Sequence, residues 1–151
     1  MTMNNMNPRD AMLKYNQVRA HAHAEGASPH RLIQLLMDGA LEKIQVAKGV
    51  MGRRDIPEKV RQINWALSII DGLRQSLDME KGGEIAQNLD ALYDYIQRRI
   101  VVANMENDPR ILDEVSSLLA EIKTAWDAVP EILKKQSQGQ SVGLANPAVV
   151  P

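Results

Sequence analysis

The sequence predicts an all-α protein, an antiparallel four-helix bundle preceded by a short N-terminal helical arm. Three observations predict it. Apolar residues recur at the helical period of about 3.6 through four successive stretches of about 20 residues. Cap-and-proline signals (Ser28-Pro29, Asp55 with Pro57, and Asp108-Pro109) open three of those stretches. No segment shows the period-two alternation of a strand, and short connections between helices of this length make neighbours antiparallel.

The elements follow in order. Residues 1–8 are a polar leader, expected to be disordered, and lack the basic and apolar regions of a signal peptide. Residues 9–27 form the arm, with Ala11, Tyr15, Val18 and Ala22 on one face. A helix that short does not persist alone in water and must dock. Gly26-Ala27 breaks it, and the bundle is expected over 28–133.

The first bundle helix, 29–51, carries Ile33, Leu36, Met37, Ala40, Ile44, Ala47 and Met51 on one side. Leu32, Leu35, Gly39, Val46 and Val50 make a second apolar stripe, about a third of a turn away. In the second helix Asp55 and Glu58 resemble a capping box. Its main face holds Ile56, Val60, Ile63, Ala66, Leu67, Ile70 and Leu77, and its second stripe Trp65, Ile69, Gly72, Leu73 and Ser76. Gly82-Gly83 is expected to end that unit. The third helix, 84–104, turns Ile85, Leu89, Leu92, Ile96 and Ala103 inward, with Tyr93 and Ile100 on the flank. The fourth has one clean stripe from Ile111 to Val129 and a polar far side, so the core alone satisfies it. Pro130 closes the helical region, and 134–151, rich in Gln, Ser, Gly and Pro, reads as a disordered tail.

Composition narrows the function classes. A chain of 151 residues is most simply one domain with a core of its own. With 18 basic and 19 acidic residues the net charge is −1, so no global field points to nucleic acid or an anionic membrane. No apolar run approaches the ~18 residues of a membrane span. The absence of cysteine excludes disulfides and thiolate ligands and fits a reducing cytoplasm. With no Phe, the core must be aliphatic and Met-rich.

Catalytic constellations are missing. His21, His23 and His30 read as solvated residues ahead of the bundle; a two-residue spacing puts the first two on different helix faces, and no cysteine completes a zinc site. The paired Glu-x-x-His motifs of a di-iron bundle do not occur. Gly82-Gly83 lacks the lysine and preceding strand of a phosphate loop. Arg53-Arg54 and Arg98-Arg99 sit amid balanced charge, as solvated helix-end residues do. Asp71, Asp78 and Glu80 form no acid–base pair. The chain is therefore expected to be no enzyme and to need no cofactor or metal.

The double stripes on the first two helices need a partner beyond the core. Helix crossing, the arm or a homodimer can cover them; so can an amphipathic helix from another protein, seated in a groove between them. Gly39 and Gly72 favour a groove, because glycine inside a helix costs about 0.5–1 kcal/mol and close backbone approach is a reason to keep one.

The run Ala27-Ser28-Pro29-His30-Arg31-Leu32-Ile33-Gln34-Leu35-Leu36-Met37-Asp38-Gly39-Ala40-Leu41 resembles the signature of the flagellar secretion chaperone FliS family. So do Ile70-Asp71-Gly72-Leu73, Gly82-Gly83-Glu84-Ile85-Ala86 with Asn88-Leu89-Asp90, Leu92-Tyr93-Asp94-Tyr95 and Trp126, in order and at the right spacing over 13–129. The resemblance implies a cytoplasmic bundle, monomeric or weakly dimeric. It would hold the disordered C-terminal segment of flagellin, prevent premature polymerisation and deliver the complex to the flagellar export gate. It also implies an arm near the binding surface, with Tyr15 matching the family's arm tyrosine. The expected contacts are Tyr15, Leu32, Leu35, Gly39, Val46, Trp65, Ile69, Gly72, Leu73 and Tyr93. The alternatives are a structural homo-oligomer or an adaptor for another helical client.

Overall fold

The computed structural model describes residues 16–17, 20, 26 and 28–129. Four helices fill the bundle region: α1 (Pro29–Met51), α2 (Ile56–Gln75), α3 (Met79–Glu106) and α4 (Pro109–Asp127), and no strand occurs among the described residues. α1 packs on α2 and α4, and α3 packs on the same two, so the helices close a ring without diagonal contact. The short turns make consecutive helices antiparallel. The α1–α2 and α3–α4 turns share one end, opposite the start of α1. The protein is an all-α four-helix bundle.

Each helix begins with a side-chain cap on its orphan amides. Ser28 Oγ accepts from Arg31 N at 3.1 Å, Asp55 from Glu58 N at 3.2 Å and Asp108 from Arg110 N at 2.9 Å. The Asp55 capping box is only half made. The Glu58 carboxylate takes Arg61 and Gln62, each at 2.7 Å, instead of reaching back to the cap.

The expected main stripe of α1 is the core: Ile33, Leu36, Met37, Ala40, Ile44, Ala47 and Met51 are all buried. Ile63, Ala66 and Ile70 of α2, Ile96, Ile100 and Ala103 of α3, and Ile111, Leu112, Val115, Leu119, Ile122 and Trp126 of α4 complete it. Apart from Tyr93 and Trp126 that core is aliphatic and methionine.

Several expectations need correction. Gly82-Gly83 does not end the second helix. The chain turns at 76–78, where Ser76 Oγ donates to Leu73 O at 2.7 Å and Asp78 caps α3 through Glu80 N and Lys81 N at 3.0 and 2.9 Å. Gly83, at φ 52° and ψ −130°, bends α3 instead. That bend shifts the helical phase, and Ile85, expected inside, is 42% exposed. Ile56 is 52% exposed because it is the first residue of α2, at the rim of the bundle. Val50, Ile69 and Leu73, expected on spare stripes, are each 1% exposed. α1 and α2 approach closely, with Ile69 Cδ1 3.4 Å from where a Cβ on Gly39 would lie, so their seam swallows part of each second stripe.

Asn16, Gln17 and Ala20 are helical and exposed. The rest of the expected arm, Tyr15 included, lies outside the described residues, as do the leader and the 134–151 tail.

Candidate functional site

The four seams of the ring differ in chemistry. Between α1 and α4, Gln34 Nε2 donates to Asp127 at 2.7 Å, Gln45 Nε2 to Ser116 Oγ at 3.2 Å, Lys123 pairs with Asp38 at 3.4 Å, and Lys48 pairs with Asp113. Between α2 and α3, Arg74 grips Asp90 with two bonds of 2.9 and 3.2 Å and also reaches Asp94 and Gln97. Between α3 and α4, Glu114 accepts from both Tyr95 and Arg99. Those bonds hold the Glu114 carboxyl below its ordinary pKa, and Arg98 and Arg74 do the same for Asp94. Exposed pairs contribute little stability each. They do fill the outer edge of three seams with polar groups.

The α1–α2 seam is different. Among the described residues no ion pair crosses it, and the Lys43 ammonium lies 3.9 Å above the Trp65 ring. Its outer edge is apolar. Leu32, Leu35 and Gly39 are half-buried, Val46 is 37% exposed, and Trp65 is half-buried across from them. Residues 32, 35, 39, 43 and 46 run along α1 at steps of three and four, so they form one strip.

The structure thus brings five of the expected contact residues together at a surface and sends four inward. Ile69, Gly72, Leu73 and Tyr93 are buried within the chain. Tyr93 is 0% exposed, its hydroxyl has no hydrogen-bond partner, and burial pushes its pKa well above the usual phenol value. A hydroxyl left without a partner in a core is an energetic cost. Tyr15 lies outside the described residues.

His30, read as a solvated residue, is instead part of a joint that the sequence did not reveal. Its ring stacks on Trp126 at 4.6 Å between centroids, and Trp126 Nε1 donates to the His30 carbonyl at 3.0 Å. The joint ties the end of α4 to the start of α1. Burial lowers the His30 pKa, and the nearby Asp127 charge opposes that shift. Two aromatic residues 96 positions apart carry no periodic signal that links them.

Among the described residues no helix is long and apolar enough to cross a membrane, and no three His, Asp or Glu side chains are grouped to hold a metal ion. A family profile described as "Flagellar protein FliS" matches residues 11–133. The flagellar secretion chaperone FliSB of Pseudomonas aeruginosa is 54% identical over 119 residues, 79% of this chain and 94% of that protein. The flagellar secretion chaperone FliS of Vibrio cholerae is 43% identical over 122 residues, 81% of this chain and 90% of its own. That of Bacillus subtilis is 31% identical over 119 residues, 79% and 87% of the two chains. The chain belongs to the FliS family, a family of flagellar secretion chaperones and not of enzymes.

Proposed function

We propose that this chain is a cytoplasmic export chaperone that holds the C-terminal segment of flagellin along the α1–α2 seam. Covered in that way, flagellin cannot polymerise before export, and the complex is delivered to the flagellar export apparatus. The observation that carries the reading is the contrast between seams: three have polar outer edges, and α1–α2 alone presents Leu32, Leu35, Val46 and Trp65. An amphipathic client helix needs a strip of that kind, with apolar anchors at helical spacing. The names of the relatives supply the flagellar export context. Ile69 and Leu73 form the floor of the seam in this reading and meet client only where an overlying element moves aside; Tyr93, on α3, is a core residue outside the contact in this reading.

A disordered client that folds on binding shows a negative heat-capacity change and an ordering cost of about 2–5 kcal/mol. Calorimetry with a flagellin C-terminal peptide is expected to give a one-to-one complex of that signature. No heat at tens-of-micromolar protein overturns the reading. The same strip is what a homodimer would seal. Sedimentation of the free protein and of the mixture separates the two, since a client-binding monomer gains only the client's mass.

A further inference from the structure

At the end of the bundle opposite the start of α1, the helix ends flanking the α1–α2 and α3–α4 turns enclose a cleft of about 350 Å³. None of the ten expected contact residues lines it. Its apolar walls include Val50, Met51, Ile56 and Met105. Ile56 and Met105, at 52% and 75% exposure, are the two most exposed large hydrophobic residues among those described.

The floor holds a buried cation. Lys59 is 7% exposed, and its ammonium donates to the Asn104 carbonyl at 3.2 Å and to Asn107 Oδ1 at 3.1 Å. Both acceptors are neutral oxygens at the C-terminal end of α3, where carbonyls lack helical partners. Capping α3 therefore occupies two of the three N–H donors of Lys59, and no full carboxylate charge pairs with it. Among the described residues no carboxylate lies within 4.0 Å of Lys59, Arg53 or Arg54. Asp55 also lines the cleft, but its carboxylate already caps α2. The negative end of the α3 dipole favours a cation here, but the cap leaves one N–H donor of Lys59 unused and does not account for the two exposed apolar walls.

We propose that this cleft docks an acidic-aliphatic peptide segment of a second protein partner, distinct from the client on the α1–α2 seam. One carboxylate meets Lys59 and Arg54, and a neighbouring aliphatic side chain sits between Ile56 and Met105. The cleft is sized for one or two side chains. A bare phosphate would leave the apolar walls uncovered, and a nucleic acid would need the basic field that a chain of net charge −1 lacks.

The test is an amide-shift titration of the full chain with three capped tripeptides: acetyl-Leu-Asp-Leu-amide, its Leu-Asn-Leu isostere and Gly-Asp-Gly. The proposal expects saturable shifts at Lys59, Asn104 and Met105 with the first, and about tenfold weaker binding of the other two, since both charge and apolar contact are used. Met105→Glu changes an exposed side chain, leaves the fold intact and supplies a competing carboxylate, so binding is lost. Lys59→Met keeps the aliphatic stem and also loses binding; should it unfold, Met105→Glu still decides. Equal affinity for the Asp and Asn peptides overturns the proposal. So does unchanged binding by Met105→Glu, or shifts confined to the α1–α2 seam.

Discussion

A carboxylate placed at Leu35 meets a different environment from one placed at Ile69, although the helical period puts both on second stripes. Leu35 is half-buried on the outer strip, and Ile69 is 1% exposed beneath it. Ile69→Asp, like Ile63→Asp at a core position 2% exposed, is therefore expected to unfold the bundle, since an unpaired buried carboxylate costs several kcal/mol. Leu35→Asp keeps access to water, so the urea midpoint moves little while binding of a flagellin C-terminal peptide is lost. Period alone could not make this distinction. It fixes the angle of a residue about its helix axis, and depth depends on how closely the neighbouring helix approaches. His30 supplies a second test. Its lowered pKa means that the unfolded chain takes up the proton first, as pH falls through the ordinary imidazole value of 6.5. Stability is full above that value and declines from there down to the folded pKa. The depressed Glu114 acts in a separate window below its ordinary 4.5. Unfolding midpoints of the wild type should fall between about pH 7 and pH 5.5, and those of His30→Phe should stay flatter there. Identical profiles would show that the stacked imidazole is not the titrating group.

Among the elements, three of the four helix starts were legible, and the start of α3, with the stop of α2 before it, was not. Ser28, Asp55 and Asp108 cap where the cap-and-proline signals placed them, because a side-chain oxygen beside orphan amides is a local arrangement. Gly82-Gly83 misled because a glycine pair that stops a helix and one that kinks it look alike in sequence; the choice fell to Asp78, whose cap starts α3 earlier. The two kinds of glycine predict opposite outcomes. Gly83 has a positive φ of 52°, and the point a Cβ would occupy there opens into free space away from the local backbone, so Gly83→Ala meets only backbone strain. Strain at such a position costs about 1–3 kcal/mol, measurable by urea unfolding. Gly39 is an ordinary helical residue whose added Cβ would make a normal contact with Ile69 Cδ1 at 3.4 Å. Gly39→Ala is therefore expected to leave the fold neutral or stabilised by up to about 1 kcal/mol through helix propensity. Its effect on peptide titration then isolates the strip: weaker binding by a more stable protein places the client backbone over Gly39, and unchanged binding removes Gly39 from the contact.

At the scale of the whole molecule, the fold leaves its apolar strip beside the place where the N-terminal arm must enter α1. Ser28 caps α1, Leu32 opens the strip one turn later, and the His30–Trp126 stack anchors that end of the bundle. The arm's one apolar face in the sequence, Ala11, Tyr15, Val18 and Ala22, is too short to persist as a lone helix and needs a surface to cover it. We propose that Tyr15 covers part of the seam in the free protein and leaves when client arrives. Such a plug lowers apparent affinity in proportion to the fraction of molecules left open, and it shields apolar surface from aggregation. The rival arrangement makes the arm a strut that helps to grip the client. The two differ in sign. Removing residues 1–18 tightens peptide binding if the arm is a plug, because the open fraction rises to one, and weakens it if the arm supplies contacts. Titrating full-length and truncated chains with the same flagellin peptide, each first shown to be folded by circular dichroism, decides the matter; weaker binding by the folded truncation overturns the plug.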